Sequence, residues 1–356
     1  LLALAYAKWF RRQGLSDRRA ALWAAAGILC TPSWFYGTST FDDILGTAAV
    51  VAAVVVADAA SRSGRWMGTG WAALLLGLAF NCKQPLALFG LGAAGALDDP
   101  GRGARQRLLR AGWLILGICM GIAAYVAYDL YKFPPGTKDA HAALLLDYTP
   151  AWPGNFMVAL LAIALSPGAG LVWYSPTLLL CRAGMRRPNA GQRALLQGLL
   201  TAIALFSVFI LSMSIFKGDP AWGPRYFTPV FALLWLFAPR GAARIGRRAA
   251  VTLLLLGVTV QILALTVDPH RLYVERGMQS MFGAHAPILY FDPQLAHLLQ
   301  RPREIAEVWR ARGESGQTFA PSAVATFAFP VIDKVESGLV AVKKYKLLNS
   351  FRPWWI

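Results

Sequence analysis

Acidic and charged residues are scarce in this 356-residue chain. Only 15% of the residues are charged, and 18 Asp and Glu stand against 35 Lys and Arg. A soluble domain has about 25% charged and about 45–50% apolar residues, whereas 56% of this chain is hydrophobic. Such a composition excludes a disordered chain, which lacks apolar residues. It also disfavours a soluble globular enzyme, since too much apolar surface would face water.

Several motifs are also missing. The four cysteines, Cys30, Cys82, Cys119 and Cys181, lie in or beside apolar runs and form no CxxC pair. Neither a disulfide framework nor a zinc site is therefore indicated. The sequence contains no GxxxxGK[ST] motif and no GxGxxG between a strand and a helix, so nothing supports nucleotide hydrolysis. Sustained period-two alternation is absent, which disfavours a membrane β-barrel.

Long apolar runs are what the sequence has instead. A helix that crosses a bilayer needs about 20 apolar residues. Candidates are 19–37, 42–60, 111–131, 195–216, 226–239 and 249–267, with shorter runs at 67–81, 84–97, 154–165 and 170–181. Lipid-exposed backbone must satisfy its hydrogen bonds within a helix or a closed barrel. The sequence therefore predicts an all-α polytopic membrane protein with about 9–11 transmembrane or re-entrant helices.

The basic residues fall into clusters between the apolar runs. These clusters are Arg11-Arg12 with Arg18-Arg19, Arg62 with Arg65, Arg102 to Arg110, Arg182 to Arg193, and Arg240 to Arg248. Cytoplasmic loops of membrane proteins collect Lys and Arg, so we expect all five clusters to be cytoplasmic. Most of the net charge of +17 then reflects topology. A nucleic-acid partner is accordingly not expected.

The two ends of the chain differ from its middle. Leu1 already lies inside an apolar run, which we interpret as the end of a spanning helix that begins upstream. Residues 1–267 carry 24 basic and 10 acidic side chains, against 11 and 8 in 268–356. We therefore divide the chain into a transmembrane domain, 1–267, and an external C-terminal segment, 268–356, with a helix-like stretch from Gln294 to Arg312.

Charges on the external side are the exceptions to this topology, and ionisable residues near spans mark functional sites by default. Asp42 and Asp43 precede an apolar helix, although two acids at a helix start also fit simple capping. Lys83 lies between two apolar stretches, where it either snorkels to the interface or holds an anion. A third place is the Gly/Pro-rich turn before Trp173 and Tyr174, whose aromatic rings also suit an interfacial belt.

The fourth exceptional place is the short external loop that contains Lys217, Asp219, Trp222, Arg225 and Tyr226. An arginine fork suits bidentate binding of phosphate oxygens, although Asp219 could simply pair with one of the two cations. With Lys83, these two cations bring the number of predicted external cations beside lipid to three: Lys83, Lys217 and Arg225. This pattern predicts an anionic, lipid-linked ligand.

Four segments resemble bacterial GT-C membrane glycosyltransferases in order and spacing. TPSWFYGTSTFDDIL at 31–45 resembles their TPLWPYS..FSEPL region, and GLAFNCKQPLALF at 77–89 resembles GLAVLTRPTALL, with Lys83 in place of Arg. LSPGAGLVWYSPTLLL at 165–180 resembles SPGKGLFWYSPLLLL, and AWGPRYFTPVFALL at 221–234 resembles WGPRYLLPALPLL. The resemblance covers about 1–267. In its general plan it extends to protein mannosyltransferases and the lipid A aminoarabinose transferase.

The resemblance implies an enzyme that moves a sugar from a polyprenyl-phosphate carrier to a glycan, lipid or protein acceptor at the periplasmic side of the bacterial inner membrane. The family's general base belongs to its first external loop, which we expect to lie before Leu1. Lys83, Lys217 and Arg225 are the expected donor-phosphate ligands. Asp42 and Asp43 are secondary acids, which either line the acceptor side or bind a divalent metal. No cofactor is required.

Aromatic and polar residues complete the predicted site. Tyr174, Trp222, Tyr226 and Asp219 are expected to line the substrate, with the rings stacking on sugar or isoprenoid. Rival hypotheses are a ligase, polymerase or flippase for lipid-linked glycans, a secondary transporter, and a non-enzymatic membrane scaffold. The sequence shows no convincing internal repeat of the kind found in transporters.

Overall fold

The computed structural model describes residues 1–38, 43–98, 103–132, 154–188, 190–213, 217, 222–266 and 290–315. The described ranges are helical, and none of their residues forms a strand. The predicted all-α class is therefore confirmed. Asp42, Asp219, residues 133–153 and the tail after residue 315 are among those that lie outside the described residues.

The helices follow one another with short connections. In chain order they are α1 (Leu2–Arg12), α2 (Asp17–Leu29), α3 (Ser33–Gly37), α4 (Asp43–Ser63), α5 (Trp66–Cys82), α6 (Gly90–Leu97), α7 (Ala104–Lys132), α8 (Gly154–Leu165), α9 (Leu171–Tyr174), α10 (Leu178–Met185), α11 (Ala190–Leu211), α12 (Thr228–Leu234), α13 (Ala238–Ile245), α14 (Arg247–Thr266) and α15 (His297–Ser315). Short 3₁₀ helices occupy Gln84–Phe89, Arg225–Phe227, Trp235–Phe237 and Pro293–Leu295.

Among the described residues, four helices are long and apolar enough to cross a membrane. Their spanning segments are Asp43–Ser63, Ala104–Tyr131, Gln192–Leu211 and Arg247–Thr266. The predicted runs 42–60, 111–131, 195–216 and 249–267 overlap them closely. Of the 18 most apolar consecutive residues in each helix, 78% are buried in α4, against 17%, 39% and 28% in the other three. Therefore α4 is the central helix, and the others leave much of their apolar surface exposed.

Small residues let the neighbouring helices approach α4 and one another. The interior of α4 is almost entirely Ala, Val and Gly, and α1, α5, α6 and α12 pack against it. One such close approach joins α5 to α7. A Cβ atom added at Gly117 would lie 2.3 Å from the carbonyl oxygen of Ala73, which no side chain can tolerate. Glycine is required there for the two backbones to touch.

Three predicted apolar runs are broken in the structure. The run 19–37 divides after Leu29, because Pro32 has no N–H to continue the helical hydrogen bonding. The run 170–181 divides at Ser175-Pro176 into α9 and α10. The run 226–239 becomes an alternation of 3₁₀ and α-helix with prolines at the second position of α12 and α13. Expecting continuous spans there was wrong, because hydropathy alone does not register these breaks.

Several arginine clusters converge at one end of the bundle, called here the basic end. Arg244 donates hydrogen bonds from Nη1 to the carbonyl oxygen of Ala183 (2.8 Å) and from Nη2 to that of Arg187 (3.1 Å). Arg12 Nη1 donates to the carbonyl oxygen of Val55 (2.7 Å) in the C-terminal half of α4, and the last turn of that helix carries Arg62. Since α4 has 21 residues, its first residue lies about 30 Å from this end. That distance matches the hydrocarbon thickness of a bilayer.

Candidate functional site

A buried carboxylate at the start of α4 lies at the centre of the candidate site. The side chain of Asp43 is 1% exposed and forms salt bridges with Lys83 and Arg225. Lys83 Nζ contacts one carboxylate oxygen, and Arg225 Nε lies 3.1 Å from the other. A buried charge requires such partners, because desolvation penalises an isolated ion heavily. One acid from α4 therefore holds two cations from distant parts of the chain.

The backbone positions these charges from three directions. Lys83 follows α5 in an extended conformation, with φ −161°, which ends the helix and separates it from the 3₁₀ helix Gln84–Phe89. Arg225 begins the 3₁₀ helix Arg225–Phe227, which leads into α12. Because α5 and α12 both pack against α4, Lys83 and Arg225 reach the same end of α4 as Asp43.

The ring of Tyr226 lies beside both cations. Lys83 Nζ is 4.2 Å and Arg225 Cζ is 5.1 Å from the ring centroid, within the range of cation–π contacts. Asp43, Lys83, Arg225 and Tyr226 are called the Asp43 cluster below. With two cations and one carboxylate, the cluster carries a formal charge of +1.

A group of aromatic residues packs around the loop that leads to Arg225. The hydroxyl of Tyr36 donates to the carbonyl oxygen of Trp222 (2.7 Å), and the rings of Tyr174 and Trp222 meet edge to face at 5.3 Å. Gly223 has φ +64°, and a Cβ atom there would lie 2.5 Å from Cγ of Tyr174. All four segments that carry the family resemblance therefore meet at this end of α4.

The structure corrects one expected environment. The alternative role of Tyr174 in an aromatic belt at the headgroup level does not fit, because its side chain is fully buried, while the neighbouring Trp173 is half exposed. Gln261 of α14 donates to the carbonyl oxygen of Tyr174 (2.9 Å), which holds α9 against α14. Tyr174 is thus a packing element of the site's wall rather than an interfacial anchor.

Sequence reasoning missed the contribution of α15. The side chains of His297, Arg301 and Glu304 are at most 2% exposed, although the polar composition of this helix suggests that it faces water. Arg301 Cζ lies 5.0 Å from the ring of Trp222, and its Nη1 lies 3.0 Å from Glu304 Oε2. The spacing of four and three residues places all three on one helix face, which was the available signal. The predicted helix from Gln294 to Arg312 is confirmed, with bounds His297–Ser315.

Lys217 lies buried beside the same group of elements. Its side chain is 1% exposed, and Nζ lies 5.4 Å from the ring of Tyr290. The carbonyl oxygen of Tyr290 accepts a hydrogen bond from the backbone N–H of Gly168 (3.1 Å), in the turn before Tyr174. Burial lowers the pKa of Lys217 from 10.5 to about 7, because desolvation penalises the ammonium form.

The lowered pKa of Lys217 predicts how stability depends on pH. Between about pH 7 and pH 10.5 the unfolded chain binds a proton at Lys217 that the folded chain does not. The free energy of unfolding therefore increases as the pH rises, by up to about 1.4 kcal/mol per pH unit. Below pH 7 both states are protonated and this gain vanishes. Unfolding in detergent micelles across this range should show the slope in the wild type.

Two lysine variants provide the comparison for that prediction. Lys217→Met should lose the extra slope, whereas Lys8→Met should keep it, since Lys8 is exposed in α1. Equal slopes in the wild type and Lys217→Met would show that Lys217 titrates normally in the folded state.

Two predicted roles lie beyond the described residues. Asp42 and Asp219 fall outside them, so the acid pair and the pairing of Asp219 stay predictions. Among the described residues no group of three or more His, Cys, Asp and Glu side chains is close enough to hold a metal ion. Asp43 faces two cations instead, and a metal role for Asp42 and Asp43 also stays a prediction.

Comparisons with known proteins add no relative. No family model matches the chain, and neither the curated proteins nor the solved structures contain a match.

Proposed function

We propose that this protein is a membrane glycosyltransferase that moves a sugar from a polyprenyl-phosphate carrier to an acceptor on the external side. The observation that carries this proposal is the Asp43 cluster. Three charged residues, separated by 40 and 142 positions in sequence, meet at a membrane-helix end about 30 Å from the basic end. Such a pattern fits recognition of a charged group carried in the lipid phase.

The donor phosphate is the group that the cluster suits. Its net positive charge attracts an anion, and the guanidinium of Arg225 offers N–H donors in a fork that matches phosphate oxygens. The ring of Tyr226 lies beside both Lys83 and Arg225. Asp43 acts as a positioning residue in this proposal, since it orients Lys83 and Arg225 towards each other. This differs from its expected place on the acceptor side.

The chemical step is an inverting displacement at the anomeric carbon. An acceptor hydroxyl oxygen forms the new bond, the bond from the anomeric carbon to the phosphate oxygen breaks, and the phosphate leaves with the electron pair. Lys83 and Arg225 stabilise the charge that grows on this leaving group. A carboxylate takes the acceptor's proton.

The surroundings of the cluster fit this assignment. The buried rings of Tyr174 and Trp222 form an apolar wall next to the loop of Arg225, and Lys217 supplies a further cation whose protonation responds near neutral pH. In this proposal the helical part, 1–267, forms a polytopic GT-C-like bundle in the bacterial inner membrane, and the segment 268–356 is external.

Product analysis tests the proposed reaction. The protein is reconstituted in vesicles with a radiolabelled polyprenyl-monophosphate sugar and an extract of membrane acceptors. We expect single sugars to appear on an acceptor, with release of polyprenyl phosphate and no use of nucleotide sugars. Transfer of a preformed glycan block, or movement of lipid-linked glycan without bond cleavage, would replace the proposal with a ligase or a flippase. Solute uptake without lipid donor would indicate a transporter.

A further inference from the structure

A cavity lies at the basic end, away from the Asp43 cluster. It has a volume of about 330 Å³ and is lined by residues of α1, α2, α13 and the start of α11. The described lining residues include two arginines and no acid; its polar side chains are Gln13, Arg19, Gln192 and Arg240. Phe10 and Trp23 form part of its apolar wall. The cavity therefore combines cationic donors with an apolar surface.

A chain of polar contacts fixes the geometry of these donors. Arg240 Nη1 donates to Gln192 Oε1, and Gln192 Nε2 donates to Gln13 Oε1 (2.8 Å). Gln13 Nε2 is buried and has no hydrogen-bond acceptor among the described residues. A buried donor without an acceptor is unfavourable by about 1–3 kcal/mol. The end of this chain therefore lacks a negatively polarised partner.

The charges around the cavity also favour an anion. Arg19 is exposed and makes no hydrogen bond or ion pair with any other described residue. Burial, and then the neighbouring charge of Arg244, lower the pKa of Arg240. Both effects on Arg240 are relieved when an anion binds, because an opposite charge stabilises the protonated form.

We propose that this cavity binds the phosphate of an anionic phospholipid headgroup, with Arg19 and Arg240 on the phosphate and Phe10 and Trp23 beside the glycerol and acyl region. Basic pockets between helices on the cytoplasmic side of membrane proteins suit such headgroups, and the five arginine clusters predict that this end is cytoplasmic. Because Gln13 directly follows Arg12, which contacts Val55 in the C-terminal half of α4, the cavity lies away from Asp43, the first residue of that helix. The site is therefore independent of the proposed sugar transfer.

A lipid phosphate and a free phosphate offer the same oxygens to the two arginines, so the test must distinguish these two ligands. Purified protein is titrated with phosphatidylglycerol, with phosphatidylcholine and with inorganic phosphate, and the shift in thermal unfolding is measured. We expect phosphatidylglycerol to stabilise the protein at lower concentration than phosphatidylcholine. If inorganic phosphate alone gave the same stabilisation with the same dependence on Arg19 and Arg240, the anion site would stand and its ligand would be soluble.

Matched arginine variants complete the test. Arg19→Gln and Arg240→Gln should each weaken phosphatidylglycerol binding by about tenfold, as expected for one charge-assisted hydrogen bond. Arg18→Gln and Arg247→Gln, which remove exposed charges outside the described lining, should leave it nearly unchanged. Arg19→Gln is the decisive variant because Arg19 holds no other described residue in place. Equal effects in all four variants, or no preference for the anionic lipid, would overturn the proposal.

Discussion

Arg225→Lys should reduce sugar transfer by about 10²–10³-fold, the loss typical when one donor to a transition-state oxyanion is removed. Lysine keeps the positive charge next to Asp43 but loses the planar fork that matches phosphate oxygens. The measurement is the initial rate of transfer in vesicles, together with thermal unfolding of each variant. Arg247→Lys is the matched control, because Arg247 is exposed at the start of α14.

The choice of lysine follows from the structure. The sequence alone predicts that Arg225→Ala abolishes transfer while folding stays near normal. Arg225 is, however, 6% exposed and paired with the buried carboxylate of Asp43. Removing one partner of a buried pair destabilises a protein by about 3–5 kcal/mol, so alanine would confuse lost catalysis with lost folding. Full transfer by Arg225→Lys would contradict a phosphate-binding role for the arginine fork.

Asp43→Asn should lower the free energy of unfolding by about 3–5 kcal/mol in the absence of ligand, because it leaves the buried Arg225 and the partly buried Lys83 without their shared anion. The formal charge of the cluster then rises from +1 to +2. A bound phosphate replaces the missing carboxylate charge, so polyprenyl phosphate should stabilise this variant more than the wild type. Thermal unfolding with and without polyprenyl phosphate measures both effects.

The same helix provides the control for Asp43→Asn. Asp58 is 6% exposed and pairs with Arg62 one turn later on α4. Asp58→Asn makes the same change in charge on the same helix, near the basic end instead of the site. It should not increase stabilisation by polyprenyl phosphate. If ligand stabilised neither variant more than the wild type, the ion pairs of Asp43 would be purely structural.

Much of the helical framework could be predicted, because membrane spans depend mainly on local hydropathy. The run 42–60 indicated α4, and 249–267 indicated α14. The sequence also shows where the prolines are. A proline need not end a membrane helix, however, because neighbouring helices can satisfy the backbone groups that it frees. Hydropathy therefore did not indicate that helices end next to Pro32 and Pro176. Composition therefore located the apolar segments better than it located their ends.

The members of the site could be predicted better than their arrangement. Lys83 and Arg225 were identified because cations on the external side contradict the general charge pattern. Their pairing with Asp43 could not be read from the sequence, since it depends on how α5 and α12 pack against α4. His297, Arg301 and Glu304 escaped attention because a polar helix usually faces water, and only tertiary contact with Trp222 buries them.

Affinity for the donor's phosphate tests the central claim most directly. Binding of polyprenyl phosphate and of the uncharged polyprenol is compared in the wild type and in a Lys83→Gln, Arg225→Lys double variant. Two charge-assisted contacts predict that the wild type prefers the phosphate by at least about 100-fold, and that the double variant loses most of this preference. Equal binding of phosphate and alcohol by the wild type, or an unchanged preference in the double variant, would contradict the claim that the Asp43 cluster binds the donor phosphate.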